Sequence, residues 1–153
     1  MATVRRATAS WSGDLTSGSG SVSADSSGLF SDLPVSWASR TEWPEGRTSP
    51  EELLAAAHAA CYCMAFSNQL TTHGTPPEDL HVAAEVAFEK LEGGWTVTSS
   101  TLQVVGRVPG CSVADFERLA VAAKDGCPIS RALAGNVELS VDATLEPEEG
   151  AEA

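Results

Sequence analysis

A run of 14 residues from Leu53 to Phe66 constrains the fold of this chain more than any other stretch. It is apolar throughout except for His58, its only strongly polar side chain. A helix that is apolar on every side belongs in the centre of a protein or in a membrane. A bilayer span needs about 20 such residues. We therefore predict a buried central helix and no membrane segment.

The start of this helix is signalled clearly. Ser49 is a good N-cap, Pro50 suits the first helical position, and Glu52 stands where a capping box needs an acid. The cap accounts for Glu52 but leaves the neighbouring Glu51 without a structural role. We expect the helix to end near Thr72 to Gly74, ahead of a pair of prolines.

The segments on either side of the helix predict strands and amphipathic helices. Alternating apolar residues indicate strands, Gly93-Gly94 indicates a tight turn, and Ser112 indicates a helix start. The predicted elements are strands at 2–11, within 17–28, at 33–39, 82–89, 95–108 and 137–145, with helices at 112–126 and 127–134. This order predicts an α+β fold with antiparallel sheets wrapped around the central helix. We expect one domain over 1–145 and a mobile acidic tail over 146–153.

Charge and cysteine content exclude several classes of protein. A formal net charge of −12 over 153 residues argues against binding to nucleic acid or to an anionic membrane surface. Arg5 and Arg6 are not followed by the apolar run of a signal peptide, so we expect a cytoplasmic protein. Thiols stay reduced in the cytoplasm, so four cysteines indicate catalysis, metal binding or core packing.

Metal binding is the weakest of these three interpretations. His58 and Cys61 share one helix face, but a structural zinc needs two more ligands, and these usually come in pairs. Cys61 and Cys63 point about 200° apart on a helix, and Cys111 and Cys127 are isolated in sequence. We therefore expect no metal and no cofactor, and we expect His58 to be a core histidine with a backbone partner.

Thiol chemistry depends on where each sulfur lies. Cys127 follows Gly126 and precedes Pro128, which places it at a helix N-cap where free amides favour the thiolate. Cys61 lies in apolar surroundings that raise the pKa of a thiol unless a cation is supplied. From the residues alone, a redox pair of Cys61 and Cys127 and a set of inert buried thiols both remain open.

Two motifs resemble those of a known family. The run SPEELLAAAHAACYCMAF and the later DGCPISRAL are similar to the two cysteine motifs of the OsmC/Ohr family, the osmotically inducible and organic hydroperoxide resistance proteins. The opening segment TASWSGDL and the later segment SWASRTEWPEGRTSPEE also resemble the OsmC branch. The resemblance covers roughly residues 8 to 145, in the same order and spacing.

This resemblance implies a thiol-dependent peroxidase that reduces organic hydroperoxides in oxidative or osmotic stress defence. Cys61 matches the peroxidatic cysteine and Cys127 the resolving one. Arg40 matches the arginine beside the thiolate, and Glu51 the acid that orients it. Cys63 departs from the family pattern, in which serine is common. The resemblance further implies an intertwined homodimer and an external dithiol reductant of the lipoamide type.

Helix geometry sets a condition on these roles. Ten residues separate Glu51 from Cys61, which is about 15 Å along a straight helix and about 80° around it. One arginine can hardly bridge both. Either the helix breaks between them, or Arg40 and Glu51 act on Cys61 of a second subunit.

Three rival interpretations remain at this point. The first is a reductase of the Ohr branch, which would take its arginine from Arg5 or Arg6. The second is a non-catalytic protein that binds small apolar ligands. The third is a redox sensor that uses Cys61, Cys127 and His58.

Overall fold

A computed structural model describes residues 1–150 of the chain. Its contacts group the chain into two compact units that divide after Leu53. The predicted acidic tail falls partly outside this range, because residues 151–153 lie beyond the described ones. Within the described part of the tail, the Glu146 backbone N–H bonds to the Gly106 carbonyl at 2.8 Å, and the Glu148 carboxylate accepts from the Gly110 N–H at 2.8 Å.

The first unit is built on a small antiparallel sheet. Its strands are β1 (Thr8–Ser12), β2 (Ser19–Ser23) and β3 (Leu33–Val35), in that order across the sheet. The predicted first strand therefore begins six residues late.

A short helix replaces the second half of the predicted third strand. This helix is α1 (Ala38–Thr41), and it includes Arg40. The hydroxyls of Ser36 and Ser39 each accept a hydrogen bond from the other's backbone N–H at 3.1 Å. This reciprocal capping ends the strand and starts the helical turn.

The central helix is α2 (Pro50–His73), and it runs without a break. Ser49 Oγ accepts from the Glu52 N–H at 3.1 Å, as an N-cap should. The Glu52 carboxylate instead accepts from the Thr48 hydroxyl at 2.7 Å. The cap is therefore present, but the acid reaches one residue further back than a capping box requires.

Burial of α2 is one-sided in the single chain. Residues spaced by four, namely His58, Tyr62, Phe66 and Leu70, are fully buried. Met64 on the opposite face is 69% exposed. The expectation of a helix buried on every side is thus wrong for one chain, because a three-stranded sheet and one packing helix cover only one face.

The second unit holds the main sheet, whose strands are β4 (Asp79–Leu91), β5 (Gly94–Arg107) and β6 (Glu138–Leu145). The alternating burial predicted for β4 and β6 is confirmed. β4 and β5 form the expected antiparallel hairpin, whereas β5 and β6 pair in parallel. The sheet is therefore mixed rather than antiparallel throughout.

Helices α3 (Val113–Gly126) and α4 (Pro128–Leu133) form the crossover that a parallel pair requires. Ser112 caps α3 by accepting from the Asp115 N–H at 3.1 Å. The predicted buried face of α3 is confirmed, with Phe116, Leu119, Ala120 and Ala123 inside. Phe116 packs against Phe66 with ring centroids 5.0 Å apart, and this contact ties α3 to α2.

The core of the second unit gathers residues from α2, β5 and α3 around the Cys127 thiol. None of the helices in the described part of the chain is both long and apolar enough to cross a membrane.

Candidate active site

Cys127 is fully buried at the junction of α3 and α4. It is the N-cap of α4 but forms no standard side-chain cap bond. Burial alone would raise the pKa of this thiol, but hydrogen bonds from the Ser130 backbone N–H, the Cys61 thiol, the Ser130 hydroxyl and the Ile129 N–H outweigh it. The pKa of Cys127 therefore lies below its ordinary value. This direction agrees with the prediction from its N-cap position.

Cys61 is the partner of Cys127 within the second unit. Burial raises the pKa of the Cys61 thiol, the Ile129 backbone opposes this, and the hydrogen bond and charge of Cys127 raise it further. Within one chain Cys127 is therefore the more acidic of the two thiols. Both cysteines are free thiols. A positive group must reach Cys61 if it is to become the more acidic of the two.

A buried histidine lies behind this thiol pair. His58 Nδ1 is 2.6 Å from Ser100 Oγ and His58 Nε2 is 2.7 Å from Ser130 Oγ. All three residues are buried, and burial lowers the pKa of His58. The prediction of a core histidine is confirmed, but its partners are two serine hydroxyls and not the backbone.

Arg40 and Glu51 meet within the first unit. Arg40 Nη2 donates to Glu51 Oε1 at 2.7 Å, and Arg40 Nε lies 3.2 Å from both carboxylate oxygens. Glu51 is only 7% exposed. The Arg40 guanidinium also lies over the Trp37 ring, 5.5 Å from its centroid. The glutamate that capping left unexplained is therefore the carboxylate that fixes the arginine.

An apolar cavity of about 270 Å³ opens beside Arg40 in the same unit. Its walls are Trp11, Leu15, Val35, Ser36, Trp37, Arg40 and Pro50. Trp37, Trp43, Tyr62 and Phe66 are the aromatic candidates for the wall of a substrate pocket, and Trp37 lines this cavity. Tyr62 and Phe66 instead belong to the core of the second unit, and Trp43 is 78% exposed.

The structure thus brings the four predicted site residues together in two pairs, one in each unit. Cys61 packs against the core cluster that contains Cys127, and Arg40 contacts Glu51. The unbroken α2 rules out the helix break that was one of two ways to reconcile their spacing.

The remaining cysteines take no part in either pair. Burial raises the pKa of the half-buried Cys63, and the Cys111 sulfur lies 3.5 Å from the Ser112 carbonyl. Within residues 1–150, no three His, Cys, Asp or Glu side chains form a group able to hold a metal ion.

Sequence reasoning missed the two serines and the cavity wall. Ser130 lies three residues after Cys127 in the second cysteine motif, and this spacing along a helix start was a usable signal. Ser100 offered none, because its contact with His58 joins residues 42 positions apart. Trp11 and Leu15 lie in the first hairpin, where no apolar periodicity marks them.

Comparison with known proteins identifies the family. The model of the family described as OsmC-like protein matches residues 44–142. The chain is 36% identical over 135 residues to Peroxiredoxin OsmC of Escherichia coli K12, covering 88% of this chain and 93% of that protein. The chain belongs to the OsmC family.

Other members of this family give a consistent picture. The chain is 33% identical over 113 residues to the organic hydroperoxide resistance protein OhrA of Bacillus subtilis, covering 72% of this chain and 77% of that protein. It also resembles the crystal structure of an organic hydroperoxide resistance protein from Elizabethkingia anophelis, with a TM-score of 0.71 and 23% identity. That match covers 95% of this chain and all of the other. The OsmC fold is therefore shared over nearly the whole chain.

Proposed function

We propose that this OsmC-family protein is a thiol-dependent peroxidase that reduces organic hydroperoxides to alcohols in oxidative or osmotic stress defence. The observation that carries the proposal is the packing of Cys61 against the core cluster that holds Cys127 in the second unit, where each thiol shifts the pKa of the other. The similarity to Peroxiredoxin OsmC and to OhrA supports the same chemistry. We infer that the protein works in the cytoplasm, where thiols are kept reduced between turnovers.

The reaction divides between the two sulfurs. The Cys61 thiolate attacks the distal peroxide oxygen, the O–O bond breaks, and the alkoxide takes a proton to leave as the alcohol. Cys61 is then a sulfenic acid. The Cys127 thiolate attacks this sulfur, the S–O bond breaks, and hydroxide leaves as water after taking a proton from solvent. The resulting disulfide protects Cys61 from further oxidation.

The first step needs more than ionisation of Cys61. A free thiol with a pKa of about 8.5 is ~3% thiolate at neutral pH, so full ionisation gains only about 30-fold. Nucleophilicity also falls with pKa, with a Brønsted slope of about 0.4–0.5. We infer that the Arg40 guanidinium both offsets the burial of Cys61 and stabilises the negative charge that develops on the leaving alkoxide.

Arg40 and Glu51 are proposed to act on Cys61 of a second subunit. The unbroken helix between Glu51 and Cys61 supports this arrangement over action within one chain. The exposed face of α2 around Met64 supports a homodimer, since an apolar helix face calls for a cover.

A mixed dimer tests the arrangement across subunits. A dimer of one Cys61→Ser chain and one Glu51→Ala chain should regain about one working site. A mixed dimer as inactive as its two parents would contradict it.

The apolar cavity beside Arg40 supports a substrate with a hydrocarbon body. Alkyl hydroperoxides are therefore favoured over hydrogen peroxide. The disulfide must be reduced from outside, and we propose a dithiol of the lipoamide type as the reductant.

Stopped-flow oxidation tests the proposal as a whole. Reduced protein is mixed with cumene hydroperoxide or hydrogen peroxide, and the disulfides formed are mapped by mass spectrometry. We expect faster reaction with the alkyl peroxide and a bond between Cys61 and Cys127. Cys63→Ser serves as the matched control and should behave like the wild type. A protein that stays reduced with both peroxides, or that forms its disulfide elsewhere, would contradict the proposal.

A further inference from the structure

The buried triad of Ser100, His58 and Ser130 is not used by the chemistry described above. Its three side chains come from β5, α2 and α4, and all lie in the second unit. Each is at most 1% exposed. Both nitrogens of the imidazole are within 2.7 Å of a hydroxyl oxygen, so the ring is held from two sides. Such short contacts in a dry interior make the hydrogen bonds of the triad depend on one another.

Which group donates in each hydrogen bond of the triad follows from counting the available protons. A serine hydroxyl has one proton to donate, and a neutral imidazole donates from one nitrogen and accepts at the other. Ser130 lies three residues after Cys127 at the start of α4, and hydrogen bonding from its hydroxyl lowers the pKa of the Cys127 thiol. When Cys127 is a thiolate, which can only accept, Ser130 must donate its proton to that sulfur. The Ser130 oxygen must then accept from His58 Nε2–H, and Nδ1 must accept from the Ser100 hydroxyl.

We propose that Ser100, His58 and Ser130 form a positioning relay that holds the Ser130 hydroxyl as a hydrogen-bond donor to the Cys127 sulfur. The relay thereby favours the thiolate form of the resolving cysteine, the form that attacks oxidised Cys61. His58 acts through Ser130 and touches neither reacting sulfur in this scheme. The inference rests on the proposed function for its role in turnover, but the effect on Cys127 exists without any peroxide.

The relay works with a neutral imidazole. Burial lowers the pKa of His58, so the ring carries no charge at neutral pH. The titratable groups that interact with Cys127 are Cys61 and Tyr62, both on α2. Tyr62 stays neutral, because burial raises its pKa, and its hydroxyl donates to the Ala120 carbonyl at 2.8 Å. Within one chain, ionisation of Cys127 therefore depends on the hydrogen bonds that its sulfur accepts from Ser130, Ile129 and Cys61.

The first test titrates Cys127 alone. In a Cys61→Ser background, thiolate absorbance near 240 nm is measured against pH with and without the Ser130→Ala substitution. A further variant that also carries Cys127→Ser shows which part of the absorbance comes from Cys127. Loss of a hydrogen bond to a charged sulfur should reduce the Cys127 thiolate at neutral pH by about tenfold. Ser99→Ala is the matched control, because its side chain points to the opposite face of the same strand as Ser100. Titration curves that coincide for Ser130→Ala and Ser99→Ala would overturn the relay.

The second test follows turnover. The conversion of the Cys61 sulfenic acid to the disulfide is timed by stopped flow in proteins that retain both cysteines. In Ser130→Ala protein the pH profile of this step should move to higher pH. At neutral pH the step should slow by only about threefold, since the more basic thiolate is also the better nucleophile. Ser130→Thr, which keeps the hydroxyl, should restore the profile.

The third test concerns His58 itself. Because His58→Leu risks unfolding a buried site, Ser100→Ala serves to release the ring instead. It should move the same pH profile in the same direction by a smaller amount. Imidazole ¹⁵N resonances of the reduced protein should show the proton on Nε2. A ring protonated on Nδ1 while Cys127 is a thiolate, or a Ser100→Ala profile equal to that of Ser99→Ala, would overturn the proposal.

These tests separate the relay from the peroxidase. If the wild type fails to reduce any hydroperoxide, the proposed function fails, while the Cys127 titration still decides whether the relay exists.

Discussion

Replacing Glu51 by glutamine should weaken the peroxidase without changing either sulfur. Glutamine is nearly the same size as glutamate, but it has one acceptor oxygen and places an N–H₂ where the second oxygen was. Arg40 bonds to both oxygens, through Nη2 at 2.7 Å and Nε at 3.2 Å, so at least one charge-assisted bond is lost. The guanidinium is then held less firmly in the orientation that we propose for its action on the Cys61 thiolate.

The size of the effect follows from burial. A hydrogen bond to a charged group contributes about 1.5–3 kcal/mol. The side chains of Arg40 and Glu51 are 29% and 8% exposed, respectively. Water can therefore partly replace the lost hydrogen bond, and the lower part of this range applies. About 1.5–2 kcal/mol corresponds to a roughly 10- to 30-fold slower oxidation of Cys61.

The assay is the second-order rate of Cys61 oxidation by cumene hydroperoxide, measured by stopped flow. Glu52→Gln is the control, since Glu52 is the exposed neighbour on the same turn and its carboxylate accepts from the Thr48 hydroxyl. It should change the rate less than twofold. In a double-mutant cycle, Arg40→Lys should remove most of the effect of Glu51→Gln, because the two residues act as one unit. Equal rates for the Glu51 and Glu52 variants, or an additive cycle, would refute the reasoning.

Further predictions concern the thiol pair and the packing of the second unit. In reduced Cys127→Ser protein the pH profile for alkylation of Cys61 should move to lower pH. Burial still raises the pKa of Cys61 in this variant, but the contribution from Cys127 is gone. An unchanged profile would show that the two sulfurs do not interact. Gly106→Ala should lower the free energy of unfolding by about 1–3 kcal/mol in urea titrations, because its Cβ would lie 2.7 Å from Leu80 and 3.0 Å from Phe116. Gly93→Ala, with open space around it, should cost much less. Phe116→Ala should cost about 3–5 kcal/mol and lower the melting temperature sharply.

Regular periodicity is what made much of the fold predictable. The alternation in β6 and the buried face of α3 around Phe116 follow directly from the spacing of apolar residues. Elements whose structure depends on other segments of the chain were harder to predict. The parallel pairing of β5 with β6 is set by the length of the crossover, and α1 is a single turn defined by two serine hydroxyls.

The candidate site divides in the same way. Local reasoning at two helix starts predicted that the pKa of Cys127 would fall and left Glu51 free for a partner, which is Arg40. The partners of His58 were not predictable, since they lie 42 and 72 residues away in sequence. Contacts between residues so far apart in sequence produce no periodic pattern from which they could be predicted.

The crossover between β5 and β6 has a consequence for how the chain matures. Cys127 lies inside that connection, and parallel strands can pair only after the whole connection has returned along the sheet. Such long-range pairing forms late in folding. We therefore expect the two sulfurs to be brought together among the later events of assembly, after a period in which the nascent chain holds its cysteines apart.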